Sequence, residues 1–404
     1  MKLQINFKQT NLGVAAIAAC CMFASCNKEL PMATPIVTTV PGGNTIGDVL
    51  NNDTTYSILR AAVLKAGMLP ILSDRASTQF TIYAPNNAAF RASGIASEAT
   101  IGVLPVASVT ALVQYHVVGG QFLLTALVPA TFPNIQEPTS LVLLPPFIRM
   151  SVFPSKRGSA FWVNTIPVTS PDISLANGTM HQMAAVLNPP SQVLAQIIYT
   201  DPNLTYFTAA VARADSGAVG LARIDSLLKF ALVNMTVLAP NNAAFIAVLD
   251  TNIRRGLIAL GTPAATAAVQ ATALASSPTV FSNPLLFPVL SAATVRGIIA
   301  YHILASKTTN PAAFQPDVRA FSNNFSTTPA FHTTLVNGSV AVHPGVLGQA
   351  SFTGPFVSML TFRGLGTLPS GGAPFSNPAA NATVRDRHAI NGVVHTLDRV
   401  LLPQ

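Results

Sequence analysis

The stretch Phe80-Thr81-Ile82-Tyr83-Ala84 is short, apolar and β-prone, and Pro85 cannot donate to a ladder, so a strand is predicted to end there. Asn86 then suits a helix N-cap, accepting a free backbone N–H ahead of Ala88-Ala89-Phe90. From Ser108 to Val118, apolar residues fall at Val109, Leu112, Val113 and the Tyr115–Val117 stretch, which predicts a helix running into a strand. Asn391-Gly392 is a strong hairpin-turn signal, and Val393 to Leu402 reads as a buried strand. Helix and strand signals mix without regular βαβ alternation, which predicts an α+β fold rather than a doubly wound sheet.

The N-terminus has a different pattern. Lys2 and Lys8 precede an apolar run from Leu12 to Ser25, the layout of a secretory signal peptide and too short for a stable span. All three cysteines, Cys20, Cys21 and Cys26, lie at its end, so no disulfide is available to the rest of the chain. Phe23-Ala24-Ser25-Cys26 resembles a bacterial lipoprotein signal, in which small residues precede a Cys that becomes the lipidated first residue. Ile17-Ala18-Ala19-Cys20 fits that local pattern better, but the abrupt change to polar sequence after Cys26 favours the later site. The plain alternative is an ordinary cleaved signal peptide with inert cysteines. Residues 26–43, with Pro31, Pro35, Pro41, Gly42 and Gly43, read as a tether.

The remainder is one unit written twice. Phe80 to Phe90 returns as Met235 to Phe245, with Ala-Pro-Asn-Asn-Ala-Ala-Phe identical in both. Tyr115-His116 returns as Tyr301-His302, and Asn177-Gly178-Thr179-Met180-His181 as Asn391-Gly392-Val393-Val394-His395. Three blocks in the same order predict two homologous domains, over residues 44–190 and 191–404. Pro85 to Tyr115 is 30 residues and Pro240 to Tyr301 is 61, while His116 to His181 is 65 and His302 to His395 is 93. The second copy therefore carries two insertions, placed at 262–290 and 352–381, which are read either as loops able to form a binding surface or as padding that covers the core. Each copy has its own strand, cap and closing hairpin, so each is expected to fold alone.

These blocks resemble the fasciclin domain family. The residues concerned are Pro85, Asn86 and Asn87 with Pro240, Asn241 and Asn242, then the two Tyr-His pairs. The closing motif is Asn177, Gly178 and His181 in the first copy and Asn391, Gly392, His395 and Asp398 in the second. The first copy departs from the pattern, with Ala184 where the second has Asp398. The resemblance implies tandem α+β units, each a β-wedge flanked by helices, in surface or extracellular proteins that bind cells and matrix. It also implies a receptor-interaction role for Tyr115, His116, Tyr301 and His302.

Composition narrows the function. Charged residues are 9% against roughly 25% in an average soluble chain, and 50% are hydrophobic. Disorder is excluded, because it needs low hydrophobicity and high net charge. The +8 net charge comes from 22 Lys and Arg against 14 acids, with basic residues never clustered beyond pairs, so nucleic acid is not an expected partner. The uncharged runs 256–295 and 320–362 are broken by prolines and rich in Ser and Thr, leaving no room for a membrane helix.

Catalytic chemistry finds no constellation. A Gly-x-Ser-x-Gly elbow is absent, no Cys follows the anchor, and Gly364-Leu365-Gly366-Thr367 lacks the lysine of a phosphate loop. His116, His181, His302 and His395 supply two imidazoles per copy, fewer than the three or four ligands a metal usually needs. They are expected to satisfy backbone groups in the core. No catalytic residue, metal ligand or cofactor is therefore assigned.

The expected protein is a non-catalytic binding or adhesion lipoprotein of the bacterial envelope. Its partners would be cell-surface or matrix macromolecules, glycans among them, and its membrane contact the lipid anchor alone. The anchor is placed in the outer membrane, on its periplasmic or outward face. The alternative is a glycan- or small-ligand-binding accessory lipoprotein of an outer-membrane uptake system.

Overall fold

In a computed structural model of the chain, the described residues are 42–403 apart from 76–78, 130–134, 145–147, 308–309, 339–342 and 367–373. The expected signal peptide 1–25, Cys26 and nearly all of the expected tether lie outside them.

The first copy contributes α1 (Ile46–Asn52), α2 (Ser57–Lys65), α3 (Leu69–Ser73), β1 (Phe80–Pro85), α4 (Asn87–Ala92), α5 (Glu98–Val103) and α6 (Val106–Tyr115). Seven further strands follow: β2 (Val117–Gly119), β3 (Glu137–Leu144), β4 (Ile148–Val152), β5 (Pro154–Arg157), β6 (Ala160–Val163), β7 (Ile166–Leu175) and β8 (Gly178–Met183). They form one sheet in the order β4-β3-β2-β1-β8-β7-β6-β5. The last strand thus returns to lie parallel to the first, Phe80 facing Gly178 and Pro85 facing Met183.

That central position buries both faces of β1. Ile82 and Ala84 meet the helices through Ile58, Leu59, Val63, Phe90, Val109 and Val113. Tyr83 turns to the other face, among Tyr115, Val118, Val152 and Val163. Alternation with both faces apolar explains why the segment reads as a continuous hydrophobic run.

The second copy repeats the plan. Its helices are α7 (Leu194–Tyr199), α8 (Thr205–Ala214), α9 (Ile224–Lys229), α10 (Asn242–Ala259), α11 (Ala264–Ala275) and α12 (Ala292–Tyr301). Its strands β9 (Met235–Pro240), β10 (Ala330–His332), β11 (Val346–Thr353), β12 (Phe356–Arg363), β13 (Ala380–Ala389) and β14 (Gly392–Leu397) are ordered β10-β11-β12-β13-β14-β9. Again the last strand is parallel to the first, with Gly392 facing Met235. Val237 and Ala239 point to the helices and Leu238 to the opposite core, the alternation of β1. The α+β expectation of two repeated units holds.

Two local expectations need correction. The closing hairpins turn on Ala176-Asn177 and Ile390-Asn391, so Gly178 and Gly392 are already the first strand residues. Any Cβ there would collide with the carbonyl oxygen of Phe80 or Met235 in the neighbouring strand, which is why both are glycine. The segment 262–290 is also not a loop laid over the surface. It forms α11 and two 3-10 turns, and it buries Ala267, Ala271, Ala275, Val280, Phe281 and Leu286. Phe281 meets Phe245 edge-on at 5.8 Å, and the Tyr206 hydroxyl donates to the Ala275 carbonyl at 2.7 Å. Leu285 in the same segment stays outside, 87% exposed.

Candidate functional site

Each paired asparagine has two separate tasks. Asn86 accepts from the Ala89 N–H at 2.9 Å and caps its own helix, while Asn87 accepts from the Ile58 N–H at 3.0 Å and donates to the Thr54 carbonyl at 2.9 Å. In the second copy Asn241 caps through Ala244 at 2.8 Å, and Asn242 reaches the Tyr206 N–H at 3.1 Å and the Pro202 carbonyl at 2.8 Å. The first Asn starts α4 or α10 after Pro85 or Pro240, and the second pins the start of α2 or α8. Buried Asn177 ties the Ile46 N–H at 2.8 Å to the Leu72 carbonyl at 2.7 Å. Asn391 links the Leu194 N–H at 2.8 Å to the Leu228 and Phe230 carbonyls at 3.0 and 3.1 Å. It thereby joins the start of one helix to the end of another.

The four repeated histidines are buried, and both ring nitrogens of each meet backbone groups. His116 Nδ1 donates to the Leu112 carbonyl at 2.8 Å, and its Nε2 accepts from the Leu187 N–H at 2.9 Å. His302 does the same with Ile298 at 2.8 Å and Leu401 at 2.9 Å. His181 is the opposite tautomer: Nδ1 accepts from Asp172 at 2.9 Å and Nε2 donates to Phe122 at 3.0 Å. His395 copies it with Asp386 at 3.3 Å and Ala320 at 2.9 Å. Each ring accepts one N–H, so only the neutral form fits. Burial pushes His116 and His302 down to about 4, the helix carbonyl each binds opposing this only in part. It also lowers His181 and His395, against the pull of Asp172 and Asp386.

The tyrosines are equally enclosed. The Tyr115 hydroxyl donates to Ser151 at 3.1 Å and accepts from Asn164 at 3.3 Å. Tyr301 donates to Gly345 at 2.6 Å and accepts from Leu365 at 3.0 Å. Desolvation pushes both phenols up to about 12. All four side chains of the Tyr-His pairs are inside, so direct contact between Tyr115, His116, Tyr301 or His302 and a partner is not available.

Two acids escaped the sequence reading. Asp172 and Asp386 occupy bulges in β7 and β13 with φ of 57° and 60°. The Asp172 carboxylate accepts from Leu124 at 2.8 Å and Thr125 at 3.0 Å, and Asp386 accepts from the Ser322 N–H at 2.7 Å. Both stand nine positions before a motif histidine, a repeated spacing that would have found them. Asp398 ties β14 to β13 by accepting from the Asn381 N–H at 2.7 Å and its side chain at 2.8 Å. The first copy lacks this link, since Ala184 offers only its N–H, to Pro167 at 2.9 Å.

The β5–β6 hairpin is clasped by the second domain. The Trp162 indole donates to the Pro355 carbonyl at 2.8 Å, and Asn323 donates to Ser155 at 3.0 Å. Arg157 donates to the Asn323 and Phe325 carbonyls and lies over the Phe352 ring. The segment 352–381 thus begins as part of a joint between the domains. One cleft of about 470 Å³ lies at this joint, and another of about 910 Å³ runs along α9 and α12. Beside the larger, Leu221, Phe230 and Leu232 remain exposed. Among the described residues no cluster of three or more His, Cys, Asp and Glu is placed to hold a metal ion.

The fasciclin domain model matches residues 54–189. Over that stretch the chain is similar to the fasciclin domain family. The second half repeats the asparagine clamps, histidine tautomers and parallel closing strand of that fasciclin domain, giving two fasciclin-like domains in tandem. The chain is 29% identical over 151 residues to transforming growth factor-beta-induced protein ig-h3 of Sus scrofa, covering 37% of this chain and 20% of that protein. It thus spans about a fifth of that relative's length. Among solved structures, the FAS1 domain pair of the insect cell adhesion molecule fasciclin I is 12% identical, with a TM-score of 0.32 over 87% of this chain and 98% of the other. Fasciclin domains are in general adhesion and binding modules of extracellular or secreted proteins. No helix among the described residues is long and apolar enough to cross a membrane.

Proposed function

We propose that this protein is a non-catalytic adhesion lipoprotein of the bacterial envelope, held by lipid at Cys26 and binding cell-surface or matrix macromolecules. One observation carries the reading: every repeated Asn, His and Tyr ends on backbone or interior partners, so the motif builds a scaffold. What such a scaffold offers a partner is its outer surface. Beads coated with the protein should adhere to cells or matrix, with soluble protein competing. Adhesion no greater than to beads coated with an unrelated protein would sink the adhesive role.

The anchor is tested separately. Cys26→Ala should move the protein from the membrane to the soluble fraction. Mass spectrometry finding an unmodified N-terminus at another residue removes the lipid from the proposal and leaves the binding role standing.

A further inference from the structure

Helices α2 and α8 correspond in the two copies, Ala61-Ala62-Val63 matching Ala209-Ala210-Val211, which sets Lys65 against Arg213. Lys65 spends all its protons, on the carbonyls of Ile101, Gly102 and Leu104 at 2.9, 2.7 and 2.6 Å. Arg213 does not. Its Nε donates to the Leu290 carbonyl at 2.8 Å, and its guanidinium carbon lies 3.5 Å from the centre of the Phe287 ring. Both partners come from the end of the 262–290 segment, an insertion of the second copy. They hold the guanidinium in place, while Nη1 and Nη2 have no partner among the described residues.

Arg213 lines a cleft of about 520 Å³ between α8 and residues 278–287, a size suited to a small molecule. The two walls differ in hydrogen-bonding character. On the α8 side stand Thr208 and, just past the helix, Ser216, whose hydroxyls have no partner among the described residues. With Arg213 they make a donor wall. On the facing side the hydroxyl protons of Thr279 and Ser282 go to Ser277 and to the Thr279 carbonyl, both at 2.9 Å. What these two offer a ligand is a lone pair. Pro278 adds apolar surface for the C–H face of a sugar ring. No carboxylate lines the cleft among the described residues, and Asp215, two positions from Arg213, is buried and paired with Arg223 and Arg296. A matching ligand carries an oxyanion for the arginine fork and hydroxyl donors for the other wall.

We propose that this cleft binds an acidic sugar, its carboxylate or sulfate on Arg213 and its hydroxyls toward Thr279 and Ser282. Uronate and sulfate ester present the same paired oxygens to a guanidinium, so the chemistry recognised is shared. The assignment does not rest on adhesion, because it concerns a soluble sugar and the full chain in solution.

The test is calorimetric titration of the full-length protein with galacturonate, galactose 6-sulfate, neutral galactose and inorganic sulfate. The better of the two acidic sugars should bind at least about tenfold tighter than galactose or inorganic sulfate, and high salt should weaken it. Which acidic sugar leads tells carboxylate from sulfate ester. Arg213→Gln should lower that affinity by about tenfold and Ser216→Ala by at least about threefold, each variant confirmed folded by circular dichroism. If Arg213→Gln does not fold, Ser216→Ala decides alone. No heat with either acidic sugar overturns the assignment, as does galactose or inorganic sulfate binding as tightly. Folded variants that bind like the parent overturn it too.

Discussion

The guanidinium carbon of Arg319 lies 4.6 Å from the centre of the Phe153 ring, so a buried cation of the second domain rests on an aromatic of the first. Its donors reach Asn234 at 2.5 Å, His388 at 3.0 Å and the Ile390 carbonyl at 2.7 Å. Phe153 also packs with Phe321 and Val393. Truncating Phe153 to Ala should cost about 3–5 kcal/mol, the usual penalty for a large core aromatic. The expectation that each half folds alone meets this joint: residues 191–404 expressed alone should melt below the full chain. Denaturant titration of full chain, variant and half measures both, and equal midpoints would show the joint to be energetically idle.

Acid should destabilise the protein before its carboxylates titrate. Burial depresses the folded pKa of His116 and His302 to about 4 from the ordinary 6.5. Between those values the unfolded state binds the proton and the folded state does not, so stability is full above 6.5 and falls as pH drops towards 4. The loss approaches about 3 kcal/mol per histidine by pH 4. Asp48, Asp172 and Asp225 are themselves lowered, so they begin to contribute only below their ordinary range near 4. Urea melts between pH 7 and pH 5 isolate the histidines, and a flat profile there would contradict the tautomers assigned.

Replacing His302 by Ala should cost roughly 1–3 kcal/mol at neutral pH, the penalty for leaving the Leu401 N–H and Ile298 carbonyl without their partner. The same variant should show a shallower acid slope than the parent. Thermal melts at both pH values separate a lost hydrogen bond from a general packing defect.

Deleting 262–290 should unfold the second domain, since Ala275 and Phe281 belong to its core. Leu285→Ser in the same segment should change stability by less than about 0.5 kcal/mol, as surface substitutions do. Circular dichroism of the deletion and melts of the point variant decide it. A folded deletion would make the segment peripheral after all.

Much of the local structure was legible in the sequence. The Phe80 strand, the Asn86 cap and the helix running through Tyr115 into a strand all follow from short-range chemistry, and they lie where the pattern puts them. What distant groups decide was not legible. Asn177 reads as a turn residue because of the glycine after it, yet its side chain serves Ile46 and Leu72, more than a hundred residues away. The α11 segment lacks charges to mark an outer face, so its helical period is hidden among Ala, Ser and Thr. Asp172 and Asp386 stand outside the identical blocks, and only their shared distance from a histidine marks them.

The parallel pairing of first and last strands also sets a timetable. β1 can gain its neighbour on one side only when Gly178 to Met183 have been made, and β9 waits likewise for Gly392 to Leu397. Such long-range closure folds slowly, because the intervening chain must be gathered before its reward arrives. A nascent chain therefore keeps one edge of β1, in the middle of its sheet, and of β9, at the end of its own, unpaired until the closing strand of that domain has been synthesised.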